Sequence, residues 1–182
     1  GAAPIPGLAG REFGVCDANL GYRCVTLFAT AETSAVNLTR RFYDDSYQAR
    51  GAASQRRYPN EEMLRFLAGY RAGLDSVGTA APRALELGCG SGANLWAMAK
   101  EGFEAHGVDL SPPGLQVCGE ILKGWAQSAA LVSADMTQLP YVSSTFDVAI
   151  DVFSTYCLNE DGFRRCLFEV DRVLRPGGQF FS

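Results

Sequence analysis

Glu86-Leu87-Gly88-Cys89-Gly90-Ser91-Gly92 is the stretch on which the reading of this chain turns. A short apolar run, residues 83–87, leads into it, and a helical pattern over 93–100 leads away, closed by Gly102. Glycines between a strand and a helix let the backbone turn sharply and approach a ligand closely. The helix start adds free N–H groups aimed at whatever lies there. Such a loop binds a nucleotide-like cofactor, and by itself does not say which.

The rhythm continues downstream. Residues 105–108 read as the next strand, and Ser111-Pro112-Pro113 caps and opens a helix carrying Leu115, Cys118, Ile121 and Leu122. Further strands are expected at 129–133 and 146–150. An amphipathic helix follows through Phe163, Cys166, Leu167, Val170, Val173 and Leu174, stopped by Pro176-Gly177-Gly178, with a fifth strand starting at 179. Strands and helices alternating with short turns predict an α/β fold: a doubly wound, mostly parallel Rossmann-like sheet with helices on both faces.

Upstream the signals differ. Asn60 with Glu61 and Glu62 is a helix start, and Met63, Leu64, Phe66, Leu67, Tyr70 and Leu74 keep helical spacing until residues 78–82 break it. Residues 35–50 also fit a helix. Residues 22–31 fit a strand or a helix, and 1–21 read as a loose arm rich in Gly, Ala and Pro. The expected organisation is an N-terminal arm over 1–35, a helical cap over 36–80 and a cofactor-binding core over 81–182.

Composition sets bounds on partners. The chain has 182 residues, 47% of them hydrophobic and 20% charged, with a formal net charge of -4. A domain that grips long nucleic acid is usually basic, so nucleic acid is not expected and a small-molecule partner is. Arg40, Arg41, Arg50, Arg56 and Arg57 cluster, and with Asp44 and Asp45 among them they read as a solvated helix face. Six cysteines occur without a C-x-x-C or C-x-x-H spacing, which predicts buried thiols and no metal site. The single histidine, His106, excludes a mechanism needing two histidines from this chain. No apolar run reaches the roughly 18 residues of a membrane span, and a cytoplasmic enzyme is expected.

Gly88-x-Gly90-x-x-Ala93, with Asp109 about 20 residues on, also satisfies the dinucleotide fingerprint of nicotinamide enzymes. Four features in order point elsewhere. Glu86 stands two residues before Gly88, where a carboxylate suits a cationic ligand and would repel a diphosphate. The next strand ends in Gly107-Val108-Asp109-Leu110-Ser111. The third ends in Ala134-Asp135-Met136, with Leu139-Pro140 after it. Phe146-Asp147-Val148-Ala149-Ile150 and Val173-Leu174-Arg175-Pro176-Gly177-Gly178 complete the series.

Together these motifs, over roughly residues 83–182, resemble class I S-adenosylmethionine (SAM) dependent methyltransferases of the small-molecule type. The resemblance implies SAM as cofactor, with Gly88, Cys89, Gly90 and Gly92 giving backbone contacts and Glu86 facing the cationic end. It implies Asp109 on the ribose hydroxyls, Leu110 on the adenine, and Asp135 with Met136 around the adenine amino group. Asp151 is counted with them, and Arg57 is the expected partner of the SAM carboxylate. On the acceptor side it implies Phe153 and Tyr156, with Tyr43, Tyr47 and Tyr58 folding over from the N-terminal helices. The implied reaction is methyl transfer to a small molecule by in-line displacement, and no catalytic residue is legible. A SAM-binding but inactive partner domain is the alternative, and a nicotinamide-dependent oxidoreductase a remote one. Members of the family carry strands beyond the fifth. The expectation is therefore a longer natural protein, or a partner or second copy covering the open sheet edge.

Overall fold

The alternation expected from residue 83 onward is realised in one twisted sheet. The computed structural model describes residues 14–16, 24–26, 34–74 and 80–182. Its strands are β1 (Gly14–Cys16), β2 (Cys24–Thr26), β3 (Arg83–Leu87), β4 (Glu104–Asp109), β5 (Ala130–Ser133), β6 (Phe146–Asp151) and β7 (Leu174–Phe181). The helices are α1 (Ser34–Arg50), α2 (Glu61–Ala72), α3 (Leu95–Lys100), α4 (Pro112–Gly124) and α5 (Glu160–Val173). Among the described residues the order is β1-β2-β5-β4-β3-β6-β7. Every pairing is parallel except β1 with β2. The chain runs outward from β3 to β4 and β5, then returns to the far side of β3 with β6 and β7. That reversal opens a crevice at the carboxyl ends of the strands, where α/β sheets hold ligands.

Local chemistry explains the elements. β3 is buried along nearly its whole length, as a central parallel strand must be. Met63, Leu67, Leu95, Met98, Leu115, Cys118 and Leu122 pack α2, α3 and α4 on one face of the sheet. Cys166, Val170 and Val173 pack α5 on the other, against Leu85, Val108 and Phe146. Caps fix the helix starts: Asn60 Oδ1 accepts from Met63 N, Ser111 Oγ from Gly114 N, and Asn159 Oδ1 from Gly162 N. His106 packs edge-on between Tyr141 and Phe146 with Nε2 3.2 Å from Glu104 Oε1, and burial lowers its pKa.

Two features differ from the sequence expectation. Residues 14–16, inside the expected loose arm, form β1, while β2 falls in the 22–31 run and takes its strand alternative, both at the β5 edge. Three-residue strands are defined by the neighbour they pair with and leave no periodicity to read. The rest of the expected arm and of the 22–31 run lies outside the described residues, as do residues 78 and 79 of the expected break at 78–82. The final strand also begins five residues before 179, because Leu174 leaves α5 directly in extended conformation. Phe146 pairs with Leu174 and Val148 with Gln179, so Pro176-Gly177-Gly178 forms a bulge within β7 rather than a stop before it. Among the described residues β7 pairs with β6 alone and forms one edge of the sheet.

The segment between β5 and β6 is clamped to α5. Arg172 donates to the carbonyls of Tyr141 (2.6 Å) and Leu139 (3.0 Å), and Glu169 Oε2 accepts from Leu139 N at 2.7 Å. Arg172→Met should cost about 2–3 kcal/mol, the worth of charge-assisted bonds in a half-buried place. Urea denaturation reads this directly, and an unchanged midpoint would show the clamp to be idle.

Candidate active site

A cavity of about 340 Å³ lies across the carboxyl ends of β3 to β6, roofed by α1. The glycine loop is its floor. Gly88 (φ +58°) and Gly90 (φ +51°) hold left-handed backbone, and a Cβ on Gly90 would lie 2.5 Å from Tyr47 Oη. No other residue fits under that tyrosine. Cys89 N donates to the Val108 carbonyl at 3.0 Å. The Cys89 thiol is buried and hydrogen-bonded to Cys118, which together with burial raises its pKa well above the ordinary value. It is a packed thiol and not a poised nucleophile. Gly92 turns out of the cavity and abuts Cys118 on α4.

Glu86 is buried beneath this loop. Asn94 Nδ2 donates to its Oε1 at 2.5 Å, while Oε2 has no partner among the described residues. Burial pushes its pKa up to about 8, against the pull of the Asn94 hydrogen bond and the Arg56 charge. A buried carboxylate oxygen without a partner is a strong unmet demand for a donor. Asn94 in turn accepts from Asn60 N at 2.9 Å, so the cap of α2 steadies Glu86 through one side chain.

At the end of β4, Asp109 accepts from Gly90 N (Oδ2, 2.8 Å) and from Ser111 N (Oδ1, 2.8 Å). These bonds join the second motif to the first. Burial raises its pKa in spite of them. Leu110, Asp135 and Met136 line the same end of the cavity, and Asp135 Oδ1 also accepts from Thr137 N at 2.7 Å. Carboxylate oxygens carry more than one acceptor site, so Asp109 and Asp135 retain capacity toward a ligand.

Tyr43 and Tyr47 reach into the cavity from α1. Tyr43 Oη shares a hydrogen bond with Cys157 Sγ at 3.7 Å, and that bond with burial pushes its pKa up to about 12. Burial likewise raises Tyr47. Phe153 lines the opposite wall. Asp151 does not line the cavity: its carboxylate accepts from the Ser154 backbone and hydroxyl and from Thr155 Oγ1, shaping the turn after β6. That turn holds Phe153 at φ +69°, a rare conformation for an aromatic residue.

Three further expected residues lie off the cavity. Arg57 sits with its guanidinium over the Tyr58 ring, both exposed, and Tyr156 is exposed beyond Phe153. Arg56 occupies the place expected of Arg57, lining the cavity and donating to the Val152 carbonyl at 3.4 Å. Spacing does not distinguish adjacent arginines when a 3₁₀ turn over Gly51–Ser54 sets the phase. The sequence reading also missed Asn94, Ser154 and Cys157. Asn94 follows the glycine motif closely enough to have been suspected, whereas the other two carry no signal. The titratable side chains among the described lining residues are tyrosines, carboxylates, a cysteine pair and arginines. No cluster of three or more His, Cys, Asp or Glu among the described residues could hold a metal ion.

The profile of the family described as "Methyltransferase domain" matches residues 84–178, from β3 to the bulge of β7. The chain belongs to this family. Its core is that of a class I SAM-dependent methyltransferase.

Among relatives, a sterol 4-C-methyltransferase of Caenorhabditis elegans is 34% identical over 99 residues, covering 53% of this chain and 29% of that protein. A phthiotriol/phenolphthiotriol dimycocerosates methyltransferase of Mycobacterium leprae is 35% identical over 104 residues, covering 56% and 37%. The chain thus spans about a third of the length of these curated relatives. The solved magnesium protoporphyrin IX methyltransferase of Synechocystis PCC 6803 with bound SAM superposes with a TM-score of 0.60 at 13% identity, over 80% of this chain and 74% of that one. A [4+2]-cyclase superposes as well, with a TM-score of 0.62 at 18% identity, over 84% and 61%. Likeness at this identity speaks for the fold alone. No helix among the described residues is long and apolar enough to cross a membrane.

Proposed function

We propose that this chain is the cofactor-binding core of an enzyme that transfers the methyl group of SAM to a small-molecule acceptor. The observation that carries the reading is the buried Oε2 of Glu86 under a glycine loop, without a partner among the described residues. The ammonium of SAM is a donor of matching charge, whereas a dinucleotide would bring a diphosphate to a carboxylate. The residues present therefore fit SAM. Bound SAM supplies a methyl group on a sulfonium, already activated toward displacement.

What the chain supplies is placement. Glu86 holds the ammonium, Asp109 the ribose hydroxyls, and Leu110, Asp135 and Met136 the adenine end. Arg56, rather than Arg57, is the arginine at hand for the carboxylate. Tyr43, Tyr47 and Phe153 close the cavity from both sides and exclude water from the reacting atoms. The acceptor enters between α1 and the turn after β6. The relatives' names, a sterol and a dimycocerosate lipid, favour an acceptor with a large apolar part.

Calorimetric titration of the chain with SAM, S-adenosylhomocysteine and NAD tests the cofactor assignment. The first two should bind in the micromolar range and NAD should not. Asp109→Ala should weaken SAM by about ten- to a hundredfold, the loss of a charged hydrogen-bond acceptor. Unchanged affinity in a folded variant would remove Asp109 from the site.

A further inference from the structure

The mouth of the cavity is apolar, exposed and flanked by arginines. On α1, Leu38 is 68% and Phe42 67% exposed, one turn apart on one face. Across the mouth, Phe153 is 62% and Tyr156 82% exposed. The two sides are continuous: Phe42 packs edge-on against Tyr43 at 5.3 Å, Tyr43 bonds Cys157, and the neighbouring Tyr156 lies 5.8 Å from the Phe153 ring. Phe153 is presented there on a left-handed backbone held by Asp151 hydrogen bonds. Strain that keeps a large aromatic exposed indicates use of that surface.

Charge follows the same pattern. Residues 34–58 hold Arg40, Arg41, Arg50, Arg56 and Arg57 against Asp44 and Asp45, a positive surplus on a chain whose net charge is -4. Asp44 is turned inward, where it accepts from Ser111 Oγ and pairs with Arg40. Arg56 sits over the Phe153 ring at 5.8 Å. Residues 152–159 carry no charge. By contrast, α5 also exposes Phe163, Leu167 and Phe168, but among Glu160, Asp161, Glu169 and Asp171 with three arginines, so no positive surplus accompanies that face.

From this we propose that the cavity mouth is an interfacial surface that docks on an anionic bilayer, with Leu38, Phe42, Phe153 and Tyr156 entering the headgroup region. Aromatic and aliphatic side chains beside arginines are the composition that binds such a surface, by apolar burial together with attraction to acidic headgroups. Docked in this way, the site faces the phase in which an apolar acceptor resides. The surface itself rests on exposure and charge and holds whether or not the chain methylates anything.

Cosedimentation of the chain with vesicles tests it, using phosphatidylcholine mixed with phosphatidylglycerol and phosphatidylcholine alone. The chain should bind the mixed vesicles, bind the neutral ones far less, and release as salt rises. Phe42→Ser combined with Tyr156→Ser should weaken binding about tenfold or more. Arg41→Gln with Arg57→Gln should weaken it about twenty-five-fold, near fivefold for each arginine. Phe168→Ser on α5 should leave it unchanged. The proposal is overturned if the folded chain ignores mixed vesicles, binds both kinds equally, or binds undiminished after the paired substitutions. It is also overturned if sedimentation shows self-association that the same substitutions abolish, since the surface would then be a protein interface. SAM titration of the same samples reports on the cofactor site separately.

Discussion

Glu86→Gln should melt higher than the parent chain at pH 8 and bind SAM more weakly. The carboxyl is held to about 8 by burial, against an ordinary 4.5. The folded chain therefore binds this proton more tightly than the unfolded one. Stability is greatest below the unfolded value, falls as pH rises between the two, and has lost the full amount above the folded value. At pH 7 the loss is about 3 kcal/mol. Glutamine removes the titration but sets an amide N–H group where Oε2 lacks a partner, which returns about 1–3 kcal/mol of that gain. A net rise of a few degrees in Tm at pH 8, shrinking towards pH 5, is expected for a chain of this size. Equal Tm differences at both values would mean that Glu86 is not the group held neutral.

Binding should move the other way. A carboxylate on the SAM ammonium is worth about ten- to a hundredfold in affinity. The parent chain must ionise Glu86 to use it, so its affinity should gain on the variant's as pH rises toward 8. The ligand's own ammonium titrates at roughly 7.7–8.0 and weakens binding above that in both proteins, so the difference between them isolates Glu86. A site residue that destabilises the fold until its ligand arrives is the usual signature of function placed above stability.

Much of this is legible in the amino-acid sequence. The core strands, the caps at Asn60 and Ser111, and the meeting of Glu86, Gly88, Gly90, Asp109, Asp135 and Met136 follow from local signals, because βα turns place chemistry at strand ends. What escaped depends on contacts far apart in the chain. β1 is defined by its pairing with β2, and β2 by its pairing with β5. Leu174 enters β7 directly from α5 because Phe146 pairs with it across the sheet. Asp151 reads as a ligand residue at a strand end, yet its oxygens are taken up by Ser154 and Thr155. Arg56 and Arg57 are indistinguishable until the turn at Gly51–Ser54 fixes which one meets Phe153. Leu38 and Phe42 are apolar positions of the helical pattern over 35–50, and only the tertiary structure shows them left exposed.

Gly88→Ala should be the most damaging small substitution in the site. At φ +58° an alanine is strained by itself, and its Cβ would lie 2.3 Å from Ser154 Cβ and 2.9 Å from Ser154 Oγ. Ser154 has nowhere to go. Its hydroxyl shares one proton between the Leu87 carbonyl at 2.8 Å and Asp151, and its N–H donates to Asp151 Oδ1 at 2.9 Å. Relief would break these bonds and release the turn that presents Phe153. A loss of about 3–4 kcal/mol is expected, combining backbone strain with overpacking against a fixed neighbour. Gly51→Ala is the natural comparator, since φ is +52° there and nothing lies within 4 Å of the added carbon. It should cost only about 1 kcal/mol, the left-handed penalty alone. Urea denaturation of both variants separates the two contributions. Adding Ser154→Gly to Gly88→Ala removes the struck carbon and should recover part of the loss. Equal costs at Gly88 and Gly51, or no recovery in the double variant, would mean that Ser154 yields and that the turn after β6 is not the rigid wall described above.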